Sequence, residues 1–221
     1  MKIELTDRFS HVNRFRGESP AAVREKCGQL LQRDSIDKLE IRLALFGFDG
    51  VFYTLTFSDE NLPANLKGAE NAWKAYLKRL KKWRTDHGQS KYFDDVHRIE
   101  GRHGDKRWHI HLFMNRNDIP PYIVRALWDS GSSYAVKWNQ KRVTSAMGYR
   151  SLAAYFTKER PDVGKHRWGC SRSLSRKVPP CEISLQQSPN VRIPPGALPL
   201  PADYFKASKW GVFSYVRYLE I

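Results

Sequence analysis

The sequence predicts an α+β fold with a central antiparallel β-sheet and flanking helices. Three features indicate this class: short segments rich in aromatic and β-branched residues, turn-prone sequences between them, and longer segments with apolar residues at helical spacing. Strands joined by short turns pair antiparallel, and the interspersed helices cover the sheet. With 221 residues, 41% of them hydrophobic, the chain is long enough for one domain with extensions and a substantial core.

The first predicted helix follows Ser19-Pro20, which reads as a serine N-cap with proline at the first helical position. We expect this helix to end near Asp34. Residues 39–48 and 51–57 are predicted to be adjacent antiparallel strands, because both are rich in aliphatic, aromatic and β-branched residues. Asp49-Gly50 between them favours a tight hairpin turn.

The central part of the chain alternates between helices and strands. Residues 69–85 predict a basic amphipathic helix, with Trp73, Tyr76 and Leu80 on its apolar stripe. The other predicted elements are strands at 91–100 and 108–115 joined by a turn, a short helix at 118–128, a strand at 134–138, a helix at about 144–159 and an edge strand at 213–219.

These elements predict three regions. Residues 1–35 form an N-terminal extension with one helix, and residues 36–178 form the catalytic domain. Residues 179–221 contain a proline-rich loop between Ser188 and Pro201 and a C-terminal edge strand packed on the same domain.

The charge of the chain indicates a polyanionic partner. Its net charge is +15 and its pI is about 9.9, so nucleic acid is the first partner to consider. The three cysteines lie far apart without a CxxC pair, which argues against a disulfide framework or a cysteine zinc site. The N-terminus has no apolar signal region, and no apolar run approaches the roughly 20 residues that span a bilayer. We therefore expect a cytoplasmic protein without a membrane partner.

The strongest candidate for chemistry is the segment Trp108-His109-Ile110-His111-Leu112. Residues two apart in a strand point to one face, so the two imidazoles project together and can chelate one divalent cation. Glu100, at the end of the preceding strand, would complete a nitrogen and oxygen site suited to Mg²⁺ or Mn²⁺. His97 is the rival third ligand, but three residues separate it from Glu100, which places it on the opposite face. The alternative is that both histidines are polar outward positions of a half-exposed strand.

A second candidate is Tyr155-Phe156-Thr157-Lys158 on the last long helix. A spacing of three places the phenol and the ammonium on neighbouring turns, and a nearby cation favours phenolate. Tyr155 lies at the border of the apolar stripe, whereas Tyr149 lies within it. Tyr155 is thus the better nucleophile and Tyr149 the better core residue, although an isolated tyrosine is more often packing than chemistry. Together with the histidines, these residues suggest metal-assisted attack on a phosphodiester.

In these motifs the chain resembles the HUH (His-hydrophobe-His) endonucleases, in particular the single-tyrosine rolling-circle replication initiators of phages and plasmids. The resemblance spans about residues 51–174. Phe52-Tyr53-Thr54-Leu55-Thr56-Phe57-Ser58 is similar to the first motif of the family, Glu100 with His109-Ile110-His111 to its metal motif, and Tyr155-Phe156-Thr157-Lys158 to its tyrosine motif.

The resemblance implies a palm-like antiparallel sheet and a Mg²⁺ or Mn²⁺ ion bound by Glu100, His109 and His111. It implies that Tyr155, assisted by Lys158, nicks and rejoins single-stranded origin DNA, linear or in a hairpin. The 5′-phosphotyrosine would leave a 3′-hydroxyl for a host polymerase. Some phage initiators use two tyrosines four residues apart, whereas Tyr149 and Tyr155 are six apart. No GxxxxGKS or GxxxxGKT loop occurs, so we expect a separate host helicase. The host is expected to be a bacterial cell, with the gene on a plasmid or phage.

Single-stranded DNA binds basic grooves with aromatic stacking platforms. Candidates lie beside the metal motif, before the tyrosine helix, and in a basic run after it. They are Arg102, Lys106, Arg107, Trp108, Trp138, Lys141, Arg142, Lys165, Arg167, Trp168, Arg172 and Arg176. For the basic face at residues 78–84, a solvated helix surface and a DNA contact are equally compatible with the pattern.

Other classes of protein fit parts of the pattern. A cupin-type metal oxygenase also uses an HxH pair, but it needs an acid a few residues downstream, where this chain has Leu112-Phe113-Met114-Asn115-Arg116. A single-tyrosine transposase or relaxase would share the chemistry of an initiator. A non-catalytic basic nucleic-acid-binding module would tolerate replacement of Tyr155 and His111.

Overall fold

A computed structural model describes residues 20–101, 107–145, 148–158, 168–178, 195–200, 205–208, 211–214 and 217–219. The helices in this part of the chain are α1 Pro20–Ala44, α2 Leu66–Asp86, α3 Pro121–Ala126, α4 Gln140–Val143, α5 Tyr149–Thr157 and α6 Arg172–Lys177. The strands are β1 Gly50–Phe57, β2 Asp95–Glu100, β3 His109–Asn115, β4 Gly131–Trp138, β5 Gly169–Cys170, β6 Leu198–Leu200, β7 Phe205–Ser208, β8 Gly211–Ser214 and β9 Arg217–Leu219.

The main sheet has five strands in the order β4-β1-β3-β2-β5, and every neighbouring pair is antiparallel. β2 and β3 pair as the sequence predicts, with Glu100 opposite His109. Helices lie on both faces of the sheet. The predicted α+β class with a central antiparallel sheet is therefore confirmed.

One face of the sheet packs against α2. Tyr53 and Leu55 of β1 and Ile110 and Leu112 of β3 form a buried cluster with the apolar stripe of this helix, which includes Tyr76. The Tyr76 hydroxyl donates to the Val124 carbonyl at 2.6 Å and so joins α2 to α3. The predicted amphipathic helix is thus confirmed, and its apolar side forms the first core.

The other face packs against α1 and α5. Leu39 and Leu43 of α1 and Phe156 of α5 form a second buried cluster with Val96 of β2 and Phe113 of β3. Because side chains alternate along β3, the residues of this second cluster lie on the same face as His109 and His111. The second core therefore supports the candidate site from below and from one side.

The predicted strand at 39–48 is wrong, because α1 continues through this segment to Ala44. Ile36, Leu39, Leu43 and Phe46 recur every three or four residues, and all four are packed in the second core. That is the spacing of one helix face, and burial of that face outweighs the strand propensity of a segment in which Ile41 is the one β-branched residue within 39–48.

Asp49-Gly50 does not form a hairpin turn. Gly47, with φ +57°, follows α1 in the left-handed conformation that ends many helices, and Gly50 is the first residue of β1. A Cβ on Gly50 would lie 2.2 Å from Cζ of Phe113, which is directly opposite Phe52 on β1. Glycine is required at position 50 because the Phe113 ring packs on its backbone.

The helix that carries the tyrosine motif is shorter than predicted. The expected helix at about 144–159 is instead α5, Tyr149–Thr157, preceded by the short α4. Gly148 at the N-terminus of α5 has non-helical angles, and a Cβ there would lie 2.6 Å from the Val143 carbonyl oxygen. The chain therefore folds sharply between α4 and α5.

Near the C-terminus the strands form two further two-stranded sheets, β6 with β9 and β7 with β8. The predicted edge strand at 213–219 corresponds to parts of β8 and β9, and residues 215–216 lie outside the described residues. So do most of the N-terminal extension before Pro20 and residues 179–194, which include the start of the proline-rich segment. Within the described part of the chain, no helix has both the length and the apolar character needed to cross a membrane.

Candidate metal centre and nucleophile

Three potential metal ligands meet where β2 ends and β3 begins. Antiparallel pairing places Glu100 opposite His109, and residues two apart on β3 share a face, so His111 points the same way. Oε2 of Glu100 lies 3.4 Å from Nε2 of His109 and 3.8 Å from Nε2 of His111. One ligand atom from each residue lies within 4.8 Å of the other two, so the three residues can hold a metal ion.

The hydrogen bonds of both imidazoles favour presentation of Nε2 to a cation. Nδ1 of His109 lies 2.9 Å from the Arg107 carbonyl oxygen, which can only accept, so Nδ1 carries the proton and Nε2 has the lone pair. Nδ1 of His111 lies 3.3 Å from the Thr54 hydroxyl on β1, which can accept a hydrogen bond from it. Partners on the outer nitrogen orient metal-binding histidines in this way.

Glu100 is 3% exposed, and its environment keeps it ionised. Burial by itself would raise the pKa of Glu100, but the hydrogen bond with His109 and the nearby charges of Arg98 and Lys158 lower it to about 2. Nε of Arg98 lies 2.9 Å from Oε1, while Oε2 faces the histidines. A buried carboxylate held in its charged form is suited to binding a cation.

The two histidines differ in protonation. Burial lowers the pKa of His111 to about 3, so its ring is neutral at neutral pH. The hydrogen bond with Glu100 raises the pKa of His109, which lies at the more open side of the cluster. The neutral form of His111 is the form that ligates metals.

Tyr155 approaches the same cluster from α5. Its hydroxyl oxygen lies 3.1 Å from Nε2 of His111, and its residue surface is 40% exposed. The Phe52 ring stacks on His111 and meets the Tyr155 ring edge-on at a centroid distance of 6.1 Å. The phenol oxygen is therefore next to the candidate ligands and accessible from solvent.

Lys158 joins this arrangement immediately after α5. Its Nζ lies 4.0 Å from the centroid of the Tyr155 ring and 3.3 Å from Oε2 of Glu100. The ammonium is therefore in contact with both the tyrosine and the carboxylate. The five residues predicted as catalytic or metal-binding lie in one cluster.

Several contacts fix α5 in this position. Phe156 is buried against β3, and Arg98 of β2 donates from Nη1 to the Phe156 carbonyl. Arg150, near the start of α5, pairs with Asp37 and Glu40 of α1 at 2.8 and 3.0 Å. These contacts hold α5 at both ends, and the helix in turn carries Tyr155.

The two alternative residues lie elsewhere. Tyr149 is buried, donates a hydrogen bond to the Gly47 carbonyl and packs edge-on against Phe113, and burial raises its pKa. His97 lies on the opposite face of β2, with Nδ1 2.7 Å from Asp95 and its ring 4.5 Å from that of Trp73. Tyr149 is thus a core residue, and His97 packs with the first core.

The candidate DNA-binding residues are divided between exposed and packed positions. Trp138 is 7% exposed, and Trp168 donates to the Ser35 hydroxyl at 3.0 Å, so these rings pack against the protein. Trp108 is also partly buried against the first core. A predicted stacking role for Trp138 conflicts with its burial. Exposed basic candidates are Arg107, Lys141, Arg142, Arg172 and Arg176; Arg102, Lys106, Lys165 and Arg167 lie outside the described residues.

Sequence reasoning missed the residues that surround the ligands. Thr54 and Phe52 lie on alternate positions of β1 and so face His111, and Arg98 lies two residues before Glu100 on the same face of β2. The signal was the period of two along both strands, which assigns these side chains to the face of the ligands.

The fold and the site together define a class of protein: an antiparallel sheet that carries a candidate metal centre with an adjacent tyrosine. The family model for the ORF2 type of replication-associated protein matches residues 50–160, slightly more than half of the chain. The chain belongs to this family, which confirms the predicted relationship to replication initiators and connects the chain with DNA replication. The match runs from β1 past Lys158 and includes every residue of the cluster. No curated protein and no solved structure matches the chain.

Proposed function

We propose that the protein initiates replication by nicking and rejoining single-stranded origin DNA, with Tyr155 as the nucleophile. One observation carries the proposal: the Tyr155 hydroxyl lies 3.1 Å from a nitrogen of His111, a member of the group that can hold a metal ion. Membership of a replication-associated family supports DNA as the substrate.

The metal in this proposal is Mg²⁺ or Mn²⁺, held by Glu100, His109 and His111. One carboxylate oxygen and two imidazole nitrogens form a mixed donor set that Mn²⁺ accepts readily and that Mg²⁺ occupies with water completing its shell. When bound, the ion polarises the scissile phosphate and stabilises the charge that develops on its oxygens. Thr54 and the Arg107 carbonyl orient the two imidazoles for this task.

The chain itself supplies the nucleophile. The oxygen of Tyr155 forms a bond to phosphorus, and the bond from phosphorus to the 3′ oxygen breaks. The phenol proton leaves to solvent, to which Tyr155 is open, and the 3′ oxygen takes up a proton. The products are a 5′-phosphotyrosine and a free 3′-hydroxyl that a host polymerase can extend. Attack by a 3′-hydroxyl on the phosphotyrosine reverses the step and rejoins the strand.

Lys158 stabilises negative charge during this exchange. Its ammonium lies 4.0 Å from the Tyr155 ring centroid, where it favours the phenolate that attacks and the phenolate that leaves on rejoining. A cation fixed beside the reacting oxygen needs no reorganisation when the charge develops.

A covalent trapping assay tests the proposal and does not require the origin sequence to be known. A pool of single-stranded oligonucleotides with a randomised centre and a 3′ label is incubated with the protein and Mn²⁺. Because the strand 3′ of the nick stays attached to the tyrosine, the label should migrate with the protein on a denaturing gel. Sequencing the trapped strands then gives the preferred site.

Three variants and a chelator give the controls. Tyr155→Phe should abolish the adduct, whereas Tyr149→Phe and Tyr122→Phe, which alter a buried and an exposed tyrosine, should retain it. EDTA should prevent adduct formation. An adduct that persists in Tyr155→Phe, or that forms equally with EDTA, would overturn the proposed nucleophile or the proposed metal.

A further inference from the structure

The face of the sheet that carries the candidate site is covered on one half only. α1 and α5 pack over β2 and β3, where Val96 and Phe113 are buried. On the same face, the outer strand β4 presents Tyr134, which is 67% exposed. Ser132, two residues earlier on β4, is exposed as well. An open strip of sheet therefore begins directly beside the candidate metal centre.

The strand register aligns Tyr134 with the site. Tyr134 is opposite Thr54 on β1, and Thr54 is opposite His111 on β3. Directly opposite residues of antiparallel strands share a face, so the Tyr134 ring projects on the side where Thr54 touches His111. Two strand spacings separate β4 from β3, which is about 10 Å. A base on Tyr134 would thus belong to a nucleotide close to the scissile phosphate.

Basic residues continue the strip beyond Tyr134. Trp138 ends β4 on the same face, and the Arg142 guanidinium lies 5.5 Å from the centre of its ring. Lys141, next to Arg142 on α4, is also exposed. An exposed aromatic ring followed by exposed cations matches the pattern that binds single strands, with stacking for a base and charge for the phosphates.

We propose that Tyr134 is a base-stacking platform for single-stranded DNA that flanks the scissile phosphate. The proposal rests on the proposed function for the identity of the strand and adds a binding subsite to it. Tyr134 acts by positioning: a base stacked on its ring sets where the backbone crosses the cluster of Glu100, His109 and His111. Stacking is tolerant of sequence because every base has a π-face.

Affinity measurements test the platform on a protein that cannot cleave. In the Tyr155→Phe background, binding of fluorescein-labelled oligo(dT) is measured by anisotropy. Tyr134→Ala should weaken binding by roughly 5- to 100-fold, the range expected for loss of one base stack. Tyr134→Phe and Tyr134→Trp should bind as the parent does, because each retains an aromatic ring.

Tyr122→Ala is the matched control. Tyr122 is 70% exposed, but it lies on α3, which packs with the first core on the other face of the sheet. Its replacement should leave the affinity unchanged. Equal losses from Tyr122→Ala and Tyr134→Ala, or no loss from Tyr134→Ala, would overturn the platform.

Photocrosslinking gives an independent result. Oligonucleotides with 5-bromodeoxyuridine in place of thymidine are irradiated in complex with the non-cleaving protein, and the crosslinked peptides are identified by mass spectrometry. The proposal expects a crosslink at Tyr134, and crosslinks confined to other residues would contradict it. If Tyr134 crosslinks but the unmodified protein forms no adduct in the trapping assay, the platform stands and the proposed nicking fails. If adducts form while Tyr134→Ala binds normally, the reverse holds.

Discussion

At the scale of single residues, the candidate centre depends on hydrogen bonds that orient its ligands. His111 is buried between Phe52 and α5, and its outer nitrogen contacts Thr54. Glu100 is shared between Arg98 on one oxygen and the histidines and Lys158 on the other. Substitutions at the supporting residues should therefore separate metal binding from nucleophilic attack.

Thr54→Val should weaken Mn²⁺ binding by about 10-fold, because it removes the partner of Nδ1 of His111 at nearly constant volume. Isothermal titration calorimetry on the metal-free protein measures the effect. Thr54→Ser keeps the hydroxyl and should restore affinity. Unchanged Mn²⁺ affinity in Thr54→Val would show that Thr54 does not orient the imidazole.

Lys158→Met should slow adduct formation on the order of 100-fold without abolishing it, because a cation beside the reacting oxygen is lost. Mn²⁺ affinity should be retained or increased, since the ammonium also competes for Oε2 of Glu100. Single-turnover rates at saturating Mn²⁺ separate the two effects. Lys177→Met, which removes the partner of Asp94 elsewhere in the fold, is the matched control. A rate equal to that of the unmodified protein would contradict the proposed role.

At the scale of elements, the position of Tyr155 depends on the packing of α5 against α1 and the sheet. Leu39 and Leu43 of α1 lie in the same core as Phe156 of α5. Arg150 adds ion pairs between the two helices. The part of α1 that extends beyond the predicted end near Asp34 thus supports the candidate nucleophile.

Leu43→Ala should lower the free energy of unfolding by about 2–5 kcal/mol, because it leaves a cavity between α1 and α5. Leu31→Ala, on the exposed side of the same helix, should have little effect. Urea denaturation followed by circular dichroism measures both. Equal effects would contradict the burial of one face of α1.

The sequence predicted the strands of the centre and its ligands more accurately than it predicted α1. On β3 the period of two in His109-Ile110-His111 is unambiguous, and a turn-prone segment joins it to β2. For residues 39–48, local composition favoured a strand, and the decisive factor was burial against a distant helix. The contact between Thr54 and His111 joins residues 57 positions apart, so sequence could suggest the face but not the bond.

At the scale of the whole molecule, the charge of +15 supplies a field that attracts DNA wherever it docks. Stacking and metal binding act at defined places on one face of the sheet. Charge should therefore control affinity and its dependence on salt, whereas Tyr134 and the metal centre control register and chemistry.

Arg142→Gln should reduce the slope of log K against log salt for oligo(dT) binding by about 0.7, the value for one phosphate contact on a single strand. Lys137→Gln is the matched control, because Lys137 is exposed on β4 but alternates to the opposite face from Tyr134 and Trp138. Titrations at several salt concentrations give both slopes. An effect of Lys137→Gln as large as that of Arg142→Gln would place the strand elsewhere.

The most direct test of the account is the identity of the residue that becomes linked to DNA. The trapped adduct is digested with nuclease and trypsin, and the peptide that retains a nucleotide is sequenced by mass spectrometry. We expect the nucleotide on Tyr155, in peptide 151–158, with Mn²⁺ present and no modified peptide with EDTA. A nucleotide on any other residue, or an equal yield without the metal, would contradict the central claim.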